Sequence, residues 1–172
     1  GVLSLSLIAS VVSSVISRSV FGSSPAFAVA GYHLVSIWEL IPYALLGALC
    51  GAVAHLYNRA VYWSGVLFRT RVPVPAFWQP VLGGVLVGAV GLFLPQILGP
   101  GEGSIEAMLR GDAAYGAGLM ALLAVVKILS TATTVGSGQP GGIFTPALFV
   151  GAATGGAFGW CVSALAPGLT GG

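Results

Sequence analysis

The stretch Gly136-Ser137-Gly138-Gln139-Pro140-Gly141-Gly142-Ile143-Phe144-Thr145-Pro146 has no ionisable side chain, yet it is the part of the sequence best equipped to hold an ion. Its glycines and prolines stop any helix arriving from the apolar run before it. An apolar run then restarts at once, with no polar linker long enough to cross a membrane interface. A broken helix is the simplest account, and broken backbone at membrane depth survives only where it is buried in protein or lines a cavity. The new helix opens with the unpaired amides of Gly142, Ile143, Phe144 and Thr145, while Pro146 has no amide to leave unpaired. Free amides at the positive end of a helix dipole make an anion site without a charged side chain. The competing reading is a tight loop between two spanning helices. A nucleotide site is excluded. Gly136 and Gly141 match the G-x-x-x-x-G spacing, but Gly142 and Ile143 stand where a phosphate loop needs Lys and Ser or Thr.

Few other residues offer chemistry. Lys127 is the only charge deep in its apolar run, and a cation buried in a membrane is by default a functional candidate. It could raise the positive potential along an anion path, or it could pair with helix C-terminal carbonyls. His33 and His55 lie near segment ends, where interfacial positions are expected. Thr131, Thr133 and Thr134 are placed to bond backbone carbonyls of their own helix. Glu102 and Glu106, four apart, are expected to decorate a solvated loop. Cys50 and Cys161 sit in apolar runs as small hydrophobes, and with two distant histidines they make no metal spacing. No Ser-His, Asp-Asp or H-E-x-x-H arrangement lies within the apolar segments, so neither an enzyme nor a cofactor is expected.

The elements that must carry these residues follow from composition. Of 172 residues 56% are hydrophobic and 6% charged, and the mean hydropathy is +1.00. Soluble domains spend about a quarter of their residues on charge, so a free-standing soluble domain is excluded. Disorder is excluded by the same numbers. A net charge of +2, scattered along the chain, gives no footprint for nucleic acid. What remains is an all-α, multi-pass integral membrane protein whose partner is the lipid bilayer.

Five apolar stretches are separable: about 1–21, 38–68, 77–94, 113–135 and 143–165. In the second, the membrane part is expected over Pro42 to Leu56 with an amphipathic extension, because Tyr57, Arg59, Tyr62 and Trp63 resemble an interfacial belt. Arg69 and Arg71 place the next connection on the cytoplasmic side, and the acidic loop from Pro95 to Asp112 on the other. Small residues recur at four-residue intervals (Gly47 and Gly51, Gly84 and Gly88, Gly151, Gly155 and Gly159), a spacing that lets helix backbones approach closely. The chain opens at Gly1 without Met or a basic leader. It is expected to be a fragment of one transmembrane domain, with no signal peptide and no soluble regulatory domain.

The residues carry a resemblance. Gly142-Ile143-Phe144-Thr145-Pro146 resembles the G-x-F-x-P signature of the CLC family of chloride channels and chloride/proton exchangers. Lys127 to Thr134 before it and Ala147 to Ala152 after it fit the same context. Leu94-Pro95-Gln96-Ile97-Leu98-Gly99 with Gly101-Glu102-Gly103 resembles a further landmark of that family. Order and spacing fit from about Pro42 to Gly159.

The resemblance implies a partial fold of tilted and broken transmembrane helices, two inverted halves per subunit and a homodimer. It implies one anion pathway in each subunit, with chloride as the transported substrate. Carried over residue by residue, it makes the backbone amides of Ile143 and Phe144 ligands of the bound anion, with Gly142 beside them. The family's G-S-G-x-P pore-serine loop, G-[KR]-E-G-P gating glutamate and C-terminal pore tyrosine are absent from this chain. Gly136 to Pro140 has the letters of the first, but it directly precedes G-x-F-x-P, so Ser137 is not assigned the pore role. The alternative is a secondary transporter of another class, holding an organic carboxylate at the same broken helix. A passive structural subunit would leave the Gly-Pro break unexplained.

Overall fold

In an apolar surround a chain must satisfy its own backbone groups, and local helices do so most directly. The computed structural model describes residues 2–22 and 37–165, and among these the regular elements are all helical. They are α1 (Val2–Phe21), α2 (Leu40–Thr70), α3 (Gln79–Phe93), α4 (Glu102–Leu109), α5 (Ala117–Gly136) and α6 (Phe144–Leu165). Short 3₁₀ turns at Ile37–Glu39 and Pro95–Ile97 precede α2 and α4. His33 lies outside the described residues.

The ends have local causes. Gln79 starts α3 with Pro80 in its first turn, and its side-chain amide donates to the carbonyls of Phe68 and Val74 at 3.2 and 3.1 Å. Helix α3 stops at Leu94 because Pro95 drives the preceding residue out of the helical region, here to φ −130° and ψ 74°. Helix α5 ends as the Ser137 and Gln139 amides turn back onto the carbonyls of Thr133 and Thr134. Gly138 makes that turn at φ +88°, where a side chain would be strained.

Helix α5 lies at the centre, packed against α2, α3 and α6. The core gathers Tyr57 of α2, Ile105 and Met108 of α4, Met120 and Leu123 of α5, and Phe149, Val150 and Ala153 of α6. Helices α5 and α6 run antiparallel, since Lys127 meets Phe149 and Met120 meets Gly156. The broken helix expected at Gly136 to Pro146 is therefore overturned: the break is a reversal of the chain between two antiparallel helices, the competing tight-loop reading, because Gly138 turns the backbone back on itself.

Among the described residues α2, α5 and α6 are long and apolar enough to cross a membrane, whereas α3 has 15 residues, about 22 Å of helix. Two further sequence expectations change. His55 does not lie near a segment end: α2 runs unbroken over the second apolar stretch to Thr70, which puts exposed His55 in mid-helix. Glu102 and Glu106 belong to a helix, because Ile105 and Met108 bury themselves under α6 and pull the segment into a turn; Glu106 pairs with Arg110.

Of the four-spaced glycines, Gly84 alone makes a close approach, where an added Cβ would lie 3.1 Å from the Gln139 side-chain nitrogen. An added Cβ would meet nothing within 4 Å at Gly47, Gly51, Gly88, Gly151, Gly155 or Gly159. Tight approaches occur instead at Gly83 against Ser137, Gly91 against Leu98, Gly136 against Ser64 and Gly156 against Met120. At Gly136 a Cβ would sit 2.7 Å from Ser64 Cβ and 2.8 Å from its carbonyl carbon, so backbone would have to move. Gly136→Ala should therefore destabilise the α2–α5 crossing by about 1–3 kcal/mol, the usual cost of overpacking. The thermal midpoint of the detergent-purified complete protein should fall accordingly.

Candidate functional site

The turn that opens α6 is built by what the sequence denies it. Pro140, Gly141 and Gly142 cannot extend a helix, so regular structure begins at Phe144. The Ile143 carbonyl already accepts the first α-helical bond, from the Ala147 amide at 3.1 Å. The amides of Ile143, Phe144 and Thr145 therefore lie ahead of any intrahelical acceptor, and Pro146 contributes none. Among the described residues no backbone carbonyl accepts from Ile143 or Phe144. Gly142, Ile143 and Phe144 are exposed, Phe144 to 74% of its surface. A first turn of this kind presents partial positive charge to whatever approaches it.

Two flanking elements hold the turn. Buried Tyr57 of α2 donates its hydroxyl to the Ile143 carbonyl at 2.9 Å, and Thr131 of α5 hydrogen-bonds the same phenol. Between α2 and α6 a cavity of about 440 Å³ is lined by Cys50, Val53, Tyr57, Ile143, Phe144 and Thr154. Its walls are almost wholly apolar. On the other flank, the Gln139 side-chain amide donates to the Pro80 carbonyl and ties the loop to the start of α3. Ser137 is buried against Gly83 and donates its hydroxyl to the Thr134 carbonyl at 2.9 Å. That hydroxyl is committed to a bond within its own turn.

Lys127 is buried to 2% exposure. Its ammonium donates to the carbonyls of Ile97 and Gly99 at 2.8 and 2.7 Å and lies 4.9 Å from the centre of the Phe149 ring. Of the two roles open to it, the contacts are those of carbonyl pairing. The polar stripe Lys127, Ser130, Thr131 and Thr134 runs along one face of α5 at i, i+3, i+4 and i+7. It lines a second cavity of about 290 Å³, closed on the far side by Gly141, Gly142 and Pro146. Thr133 and Thr134 bond the carbonyls four residues back, as expected, whereas Thr131 turns to Tyr57.

Ile143, Phe144 and Gly142 thus share one turn, and Lys127 stands behind it across the smaller cavity. Among the described residues no group of three His, Cys, Asp or Glu side chains could hold a metal ion. Sequence reasoning missed Tyr57, which it assigned to an interfacial belt. The available signal was the four-residue spacing of Val53, Tyr57 and Val61, a buried stripe on α2. Phe149 gave no comparable signal.

The profile of the family described as "Voltage gated chloride channel" matches residues 1–171. The chain is 40% identical over 159 residues to chloride channel protein CLC-f of Arabidopsis thaliana, covering 89% of this chain and 20% of that protein. It is 29% identical over 171 residues to the H(+)/Cl(−) exchange transporter ClcA of Vibrio campbellii, covering 95% and 35%. It is 32% identical over 120 residues to the voltage-gated ClC-type chloride channel ClcB of Escherichia coli, covering 70% and 27%. The chain thus spans between a fifth and about a third of these relatives. No solved structure gives a significant match.

The Tyr57 bond is open to direct measurement. Tyr57→Phe keeps the ring and removes the donor to Ile143, which should cost about 1 kcal/mol, the net worth of one hydrogen bond. A lowered thermal midpoint in the complete protein, with its monodispersity in detergent unchanged, is the expected result.

Proposed function

The chain belongs to the voltage-gated chloride channel family, the CLC family, and from that premise we propose that the complete protein moves chloride or a similar small anion across a membrane. The anion rests against the backbone amides of Ile143 and Phe144, with Gly142 keeping the approach open. The observation that carries this reading is the start of α6, where exposed amides lie ahead of the first intrahelical bond. Partial charges suit transport, because binding must be strong enough to admit an ion and weak enough to release it. A full-charge ligand such as Arg would hold chloride too tightly for rapid passage. Tyr57 supports the site from behind by fixing the Ile143 carbonyl.

The complete protein is a homodimer, with α1 contributing to the contact between subunits. Every described side chain from Leu5 to Val20 is exposed, and the face is apolar apart from serines and Arg18. Such a surface needs lipid or a partner.

Two experiments test the reading. Bromide-soaked crystals of the complete protein should give an anomalous peak within about 3.5 Å of the Ile143 or Phe144 amide, hydrogen-bond reach for a large anion. No peak there removes the assignment. Because the contacts are backbone, Ile143→Val should change chloride affinity little, whereas Gly142→Leu should weaken it by crowding the approach. Liposomes holding the complete protein should release chloride, and organic-acid uptake without chloride efflux would favour a carboxylate transporter instead. Cysteine pairs placed along residues 5–20 should crosslink between subunits; uniform failure in a protein still dimeric would move the interface elsewhere.

A further inference from the structure

Among the described residues Lys127 is the deeply buried cation, and its surroundings say what it acts on. Its ammonium has three donors. Two are committed to the carbonyls of Ile97 and Gly99, on the turn that links α3 to α4. A further side of it faces the Phe149 ring. The Cδ2–Cε2 edge of that ring rests on Gly101, which adopts φ +76° and where an added Cβ would lie 2.6 Å from Phe149 Cδ2. Phe149 has no exposed surface. It is held by a cation on α5 and by a glycine of the turn that this cation clamps.

Phe149 lies five residues after Phe144, about 7.5 Å along α6. A helix is stiff over that distance, so the seat of the ring sets where the first amides of α6 point. Among the described residues the one ion pair joins Arg110 to Glu106, so no acid neutralises Lys127. Its charge is met by two carbonyl dipoles and by the negative face of the ring.

We propose that Lys127 is a positioning residue for the anion site: it locks the Pro95–Gly101 turn onto Phe149 and thereby aims the N-terminus of α6. It does not serve as a distant charge acting on the ion. The proposal rests on the reading that the α6 amides hold the anion. It assigns to Lys127, Phe149 and Gly101 one shared task that none of them could perform alone.

Chloride titration calorimetry on the complete protein, with a double-mutant cycle, tests it. Lys127→Met should weaken chloride binding about tenfold, the equivalent of roughly 1.4 kcal/mol. Lys127→Arg, which keeps the charge and can reach both carbonyls, should recover affinity to within about threefold. Phe149→Leu should weaken binding about threefold with Lys127 intact. Since both act through one contact, the double variant should be no weaker than Lys127→Met alone. Losses that multiply, or a Phe149→Leu variant with wild-type affinity, would overturn the positioning role in favour of a through-space charge. Should Lys127→Met fail to fold, Gly101→Ala presses on the ring from its other side and must also weaken chloride binding; a folded Gly101→Ala protein with unchanged affinity overturns the proposal. A wild-type protein with no anion at the Ile143 and Phe144 amides defeats the functional reading itself. Chloride bound there, indifferent to Phe149, defeats only the role of Lys127.

Discussion

Where a helix stops in an apolar surround, its last carbonyls and first amides lose their intrahelical partners and have no water to replace them. This chain meets the two deficits differently. Carbonyls left over in the turn after α3 receive the Lys127 ammonium. The amides that open α6 receive nothing from the described backbone.

Much of this was legible in the sequence. The stop and restart at Gly136 to Pro146 are dictated by residues that cannot continue a helix, and α6 begins within one residue of the expected Ile143; that the chain reverses there was not legible, because it depends on how α6 packs back along α5. The positions of α5 and α6 follow from apolar runs of the right length. Helix α4 was not legible, since its two buried residues, Ile105 and Met108, are too few to make a periodic pattern. The course of α2 was legible: the second stretch, about 38–68, folds as one helix over Leu40–Thr70, because no Gly-Pro break interrupts it.

Glycine spacing was the least reliable guide. The four-residue pattern predicts which glycines line up on one face, yet close approach depends on what a neighbouring helix presents opposite. Gly136 and Gly83 are tight because Ser64 and Ser137 stand against them, and both serines are remote in sequence from the glycines they meet. Tyr57 and Phe149 escaped notice for the same reason. Their work is done across helices, and a linear pattern records only neighbours along one.

The unequal lengths of α2 and α3 bear on the lipid around them. Helix α2, at 31 residues, reaches about 46 Å, and α3, at 15 residues, about 22 Å, against a hydrocarbon layer of about 30 Å. The first is too long to stand upright without leaning or protruding, and the second too short to bridge the layer at all. The two follow one another in the chain with only a short connection between them, so surplus helix length and a deficit stand in close succession. A bilayer answers the one by thickening and the other by thinning, each for a fraction of a kcal/mol per Å. Membrane thickness thus becomes a variable to which this part of the fold is not indifferent.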